Sequence, residues 1–221
     1  VGAAQTFVPI LFIAAMFAVM ALIVLVRKRQ RGVHAKNLHD AAVELGLRYE
    51  AKGDTAFRDA WSALPGIPNR GEVRHVCFGE YRGLPVTAFR HRYVVSTGQS
   101  SAAVVHWVFA TDTPQWPALH LRRRSSFGRL LGMRSAVTGD PAFDRAWVVK
   151  AESEAFAAEV LSAGVREFLM RPEPVIARWA TVRWHFVGGK VCLVVRGGVR
   201  TPSLALALDH LVEMWTALHP A

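Results

Sequence analysis

The sequence predicts an α+β fold: one N-terminal transmembrane helix followed by a cytosolic domain of mainly antiparallel sheet packed with helices, including a C-terminal amphipathic helix. Three observations predict it. Residues Val1 to Val26 carry no charge. The middle of the chain alternates β-branched and aromatic runs with turn residues, and the last third carries apolar residues at helical spacing. Of the 221 residues, 52% are apolar and 20% charged, enough apolar material for a packed core and too much for a disordered chain. Two cysteines supply neither a disulfide framework nor a four-cysteine zinc site.

Phe7 to Val26 reads FVPILFIAAMFAVMALIVLV, about 20 residues or roughly 30 Å of helix, the thickness of a bilayer core. The expected anchor is therefore 1–26, with Pro9 in the first turn, where proline removes no interior hydrogen bond. Ala14, Ala18 and Ala21 offer small residues for close packing against another membrane helix. The basic segment 27–36 follows, in which Arg27, Lys28, Arg29, Arg31 and Lys36 supply half of the net charge of +10 with no acidic residue. By the positive-inside rule this places the chain in the plasma membrane as a single pass, N-terminus outside and residues 37–221 in the cytoplasm. Arg27, Lys28, Arg29 and Arg31 also suit contact with anionic headgroups.

Within 37–221 each element has a local cause. Leu38, Ala41, Ala42 and Leu45 repeat at helical spacing before Gly46, placed as a C-terminal cap ahead of the strand-like LRYEA. Asp54 or Thr55 caps a short helix through Trp61, ended by Pro65, Gly66, Pro68 and Gly71. EVRHVCF, LPVTAFRHRYVV and AAVVHWVFAT read as a meander of strands, and Pro117 to Arg122 as another. Thr87, Phe89, His91 and Tyr93 fall on one face and Ala88, Arg90 and Arg92 on the other, predicting one packed and one wet face. After the glycine-loosened segment Arg122 to Arg134, FDRAWVVKA gives a turn and strand, and EAFAAEVLSAGVREFLM one or two helices. Gly188 and Gly189 join two strands in a two-residue hairpin. Thr201 and Pro202 open a last helix with Leu204, Leu208, Leu211, Trp215 and Leu218 on one stripe.

Motif chemistry is absent from the sequence. FGRLLGMRS lacks the spacing and the lysine of a phosphate-binding loop, and no HExxH, paired CxxC or GxSxG occurs. His75, His91, His106 and His185 are the candidate site histidines, since each lies on a strand and can meet another across the sheet; the plainer reading of each is a satisfied strand histidine. Asp140 and Asp144 flank Pro141 as turn and cap rather than as an acid–base pair. Arg122, Arg123 and Arg124 form the one dense basic run away from 27–36 and are candidates for contact with an anion or a partner, against the plainer reading of a solvated loop. The seven tryptophans exceed what a core needs, so a few can serve a partner surface.

AAVELGLRYE, FGEYRGLPVTAFRHRY, FDRAWVVKAESEAFAAEVLSAGVREFLM and WHFVGGKVCLVV together resemble an uncharacterised bacterial family of high-GC Gram-positive organisms, single-pass membrane proteins with a cytosolic α+β domain. The resemblance implies the fold and transfers no functional residue. The function expected on all these grounds is a membrane-anchored, non-enzymatic accessory or scaffold subunit of a larger membrane protein complex. Its expected partners are the lipid bilayer and other membrane subunits, with no nucleic acid and no cofactor. The alternatives are a peripheral sensor of anionic lipid or a small ligand, and an enzyme whose site follows no recognised motif.

Overall fold

A computed structural model describes residues 20, 22, 35–124, 138–172, 181–196 and 204–220. The chain divides into two compact units, Val1–Asp40 and Ala41–Ala221. The expected fold class, with its transmembrane helix, is corrected. Among the described residues no helix is long and apolar enough to cross a membrane. The longest named helix, Leu204–Leu218, has 15 residues, about 22 Å, and one of its faces is packed against protein. The span expected at 1–26 lies outside the described residues apart from Met20 and Leu22, as do Ala14, Ala18, Ala21, Arg27, Lys28, Arg29 and Arg31.

The second unit holds an eight-stranded sheet: β1 (Arg48–Lys52), β2 (Glu72–Tyr81), β3 (Leu84–Ser96), β4 (Ser101–Asp112), β5 (Leu119–Arg123), β6 (Trp147–Ala151), β7 (Thr181–Val187) and β8 (Lys190–Arg196). Their order is β1-β2-β3-β4-β8-β7-β5-β6, and every neighbouring pair is antiparallel. The sheet is therefore open, with the short strands β1 and β6 at its edges. Besides the helical residues 35–44, the helices among the described residues are α1 (Thr55–Ala60), α2 (Pro141–Ala146), α3 (Glu154–Val160), α4 (Ala163–Met170) and α5 (Leu204–Leu218).

Local chemistry explains the boundaries. Asp54 accepts the Phe57 amide and caps α1, Asp140 accepts the Ala142 and Phe143 amides and caps α2, and Ser153 and Ser162 do the same for α3 and α4. The expected turn at Phe143 is thus a full helix, with Pro141 in its first turn, where no backbone donor is needed. Asp144 accepts the Thr138 amide and hydroxyl and holds the loop ahead of the helix. Gly188 and Gly189, at φ +59° and +69°, make the β7–β8 hairpin turn that a two-residue connection demands.

Both faces of the sheet are packed, where the alternation in β3 predicts one wet face. Ala88 and Phe89 are buried back to back, and so is the whole run His106–Thr111 of β4. On one side Trp61, Leu64 and Ile67 close over Val73, Val76, Phe89, Val108, Ala110, Cys192 and Val194. On the other lie α4 and α5, which bury Val165, Phe168, Leu169, Leu208, Leu211 and Met214, with Phe168 edge-on to Trp184 at 6.0 Å. Each fully buried side chain of this size contributes roughly 1.5–3 kcal/mol. Tyr81 Oη donates to Asp209 at 2.7 Å and Arg82 pairs with the same carboxylate at 3.0 Å, tying α5 to the β2–β3 turn. Cys77 and Cys192 are free and buried, and burial pushes both thiols up to about 12.

One part of the sheet stands apart. Among the described residues β2 pairs with β3 only as far as Arg92, and β8 pairs with β4 only from His106. Tyr93–Ser96 and Ser101–Val105 therefore continue as a two-stranded ribbon.

Candidate functional site

Antiparallel register brings distant residues into rows, because directly opposed residues share a face. His91 on β3 lies opposite His106 on β4, which lies opposite Arg196 on β8. His120 on β5 lies opposite His185 on β7, and Arg122 opposite Arg183. Parity puts all seven, with Tyr93, on the face that Trp61, Leu64 and Ile67 cover further along. They form a face of imidazoles and guanidiniums that adjoins the apolar core.

The geometry within this face is close. His120 Nδ1 and His185 Nδ1 are 3.0 Å apart, so one ring carries the proton and the other accepts it. His91 Nε2 donates to the Arg70 carbonyl at 3.0 Å. Tyr93 stacks on His106 at 5.8 Å and contacts His91 at 5.5 Å. His91, His106 and His185 are all buried, whereas Arg183 and Tyr93 are half-buried and Arg196 is exposed. The side chains thus descend from an open rim to a closed floor.

Burial and neighbouring positive charge keep the floor neutral. Burial first, then His120, Arg183 and His106, pushes the His185 imidazole down to about 3. Burial first, then Arg196, His91 and Arg183, pushes His106 down to about 4. His91 is lowered by burial despite its bond to Arg70, and His120 by burial and Lys150. Arg183 is itself lowered, by burial and then by Arg196 and Arg122. Buried atoms without a hydrogen-bond partner include His106 Nδ1, His185 Nε2 and Arg183 Nε. Among the described residues no carboxylate pairs with Arg183 or Arg196, and the electrostatic neighbours of His106, His185 and Arg183 are histidines, arginines and a tyrosine.

Of the sequence candidates, His91, His106 and His185 join this face. His75 does not. The register of β2 shifts between Arg74 and Cys77, His75 adopts φ +55° there, and its ring turns to Tyr49 Oη at 2.7 Å and stacks on Trp107. The run Arg122–Arg124 is split by strand alternation. Arg122 joins the face, Arg123 donates to the Leu169 and Arg171 carbonyls at the end of α4 and lies over Trp147, and the Arg124 amide bonds Ala146. Trp107, Trp147 and Trp184 are core, and Trp116 and Trp215 stand half-buried with ring contacts to His219. Trp179 lies outside the described residues. His120, Arg183 and Arg196 escape sequence reading. The one signal for them is polar alternation, in HLR of β5 and RWH of β7.

Among the described residues no group of three or more histidine, cysteine or acidic side chains is placed to hold a metal ion. No protein-family model and no curated protein matches the chain. Among solved structures the chain is similar to the crystal structure of the mycobacterial trehalose monomycolate transport factor A, TtfA. The TM-score is 0.53 at 13% identity, over 85% of this chain and 97% of that one, a likeness of fold.

Proposed function

We propose that this protein is a non-enzymatic accessory subunit of a larger assembly at a membrane, with the α+β unit as its docking body. The observation that supports this reading is the likeness of fold to a transport factor over 97% of its crystallised chain, on an eight-stranded sheet packed on both faces. The basic run Arg27, Lys28, Arg29 and Arg31 supports it by its fit to anionic headgroups, on a cytoplasmic leaflet. Burial and the neighbouring arginines hold His106 and His185 well below the pKa range in which an imidazole serves as a strong general base near neutral pH.

Purification of the native protein from its own membranes in gentle detergent, with mass spectrometry of what migrates with it, tests the proposal. Stoichiometric co-migration with defined membrane proteins is the expected result. A lone monomer or homo-oligomer overturns it.

A further inference from the structure

We propose that the face built by His106, His185, Arg183 and Arg196 is a binding site for a phosphate-type oxyanion. It stands on the geometry of that face and not on the accessory role. Three features of that geometry carry it.

Three unpartnered nitrogens share this face. His185 Nε2 and Arg183 Nε are buried and unpartnered, as is His106 Nδ1, and they come from two neighbouring regions of the sheet that register brings together. In the tautomer in which His120 donates to His185 at Nδ1, the His185 proton sits on the unpartnered Nε2, and an oxyanion there selects that tautomer. A buried donor left unpaired is costly, and a ligand oxygen is the group that satisfies it.

The charges are of one sign. Arg183 and Arg196 lie close enough to repel each other, and Arg122 adds to the repulsion. Among the described residues neither Arg183 nor Arg196 has a carboxylate partner. Guanidiniums brought together in this way are stabilised by an anion between them, and their planar forks match the oxygens of phosphate. Several donors arriving from different strands call for a ligand with several acceptor oxygens, which a tetrahedral oxyanion has and a halide lacks.

The face is closed below and open above. His91 is anchored to Arg70 and, with Tyr93 beside it, holds the imidazole row in place. Gly66 lets the chain pass Arg183: a Cβ at that position would stand 3.1 Å from Nη1. Exposed Arg196 and Thr181, opposite each other in register, leave the rim accessible. The shared chemistry is a phosphate group, from a free phosphate or from a lipid headgroup.

The test uses the full chain in detergent, ¹⁵N-labelled at histidine, titrated with inorganic phosphate against chloride at equal ionic strength, and flotation of the full chain with phosphatidylcholine vesicles with and without phosphatidylglycerol. Arg196→Gln changes an exposed side chain and leaves the fold intact; Arg183→Gln is its buried counterpart, and Arg145→Gln removes the same charge from an exposed position on α2. Saturable shifts of two imidazole signals, weakened at least tenfold in R196Q and R183Q but not in R145Q, are expected for a free phosphate. Flotation on phosphatidylglycerol reduced by the same two variants, without a response to inorganic phosphate, assigns the headgroup instead. Equal behaviour of wild type, R196Q and R145Q in both experiments overturns the proposal.

Discussion

Phe89 shows what a single side chain carries in this fold. It is fully buried, with Trp61 at 4.9 Å and Phe57 edge-on at 5.2 Å, and it joins the 57–67 segment to the centre of the sheet. Phe89→Ala removes that joint and leaves a void, so a loss of about 3–5 kcal/mol is expected in denaturant unfolding, with loosening of the Trp61 environment seen by fluorescence. At this scale the sequence identifies Phe89, His91 and Tyr93 as one face by simple alternation. It does not identify His120 as the partner of His185, because 65 residues separate them and the pairing exists only through the β5–β7 register. Nor does alternation reveal that His75 leaves the row, since a bulge of one residue has no composition of its own.

Elements with their own chemical signal match the expectation from sequence: the Gly188–Gly189 hairpin, the α3–α4 pair and the apolar stripe from Leu204. Ser153 illustrates how such a signal acts. Its hydroxyl accepts the Phe156 amide at 3.2 Å, and Glu154 follows in the first turn, where a negative charge meets the positive end of the helix. Ser153→Ala is expected to cost about 1 kcal/mol, and Ser153→Asp to retain the cap, both measured as shifts in the unfolding midpoint. The α2 helix carries a weaker signal in the sequence. Six residues are too few for a periodic pattern, and only the Asp140 cap with Pro141 behind it marks the start.

Across the whole molecule the order β4-β8-β7-β5-β6 is set by long-range packing, which no local pattern encodes. The same packing buries a set of histidines in neutral form. His185 is held at about 3, and His106 and His210 at about 4, against an ordinary 6.5. The unfolded chain therefore binds more protons than the folded one between those values. Their contribution to stability is fully present above pH 6.5 and is lost as pH falls toward 4, on the order of 1 kcal/mol or more per histidine by pH 5. Melting temperature is expected to drop between pH 7 and pH 5. His210 packs between Phe168 and Trp184 with both ring nitrogens unpartnered, so His210→Leu should flatten that drop; a slope unchanged from wild type would place the acid sensitivity elsewhere.

The ribbon formed by the far halves of β3 and β4 makes these two strands kinetically composite. Up to Arg92 and from His106 onward their amides sit between neighbouring strands, whereas among the described residues Tyr93–Ser96 and Ser101–Val105 pair only with each other, with Val94 48% exposed. A two-stranded ribbon opens far more readily than the interior of a sheet. Deuterium should therefore enter the tip early and stop abruptly at the Arg92–Val105 pair, so that one continuous strand reports two opening free energies. Measured by amide exchange, that boundary would locate where the cooperative unit of this molecule begins.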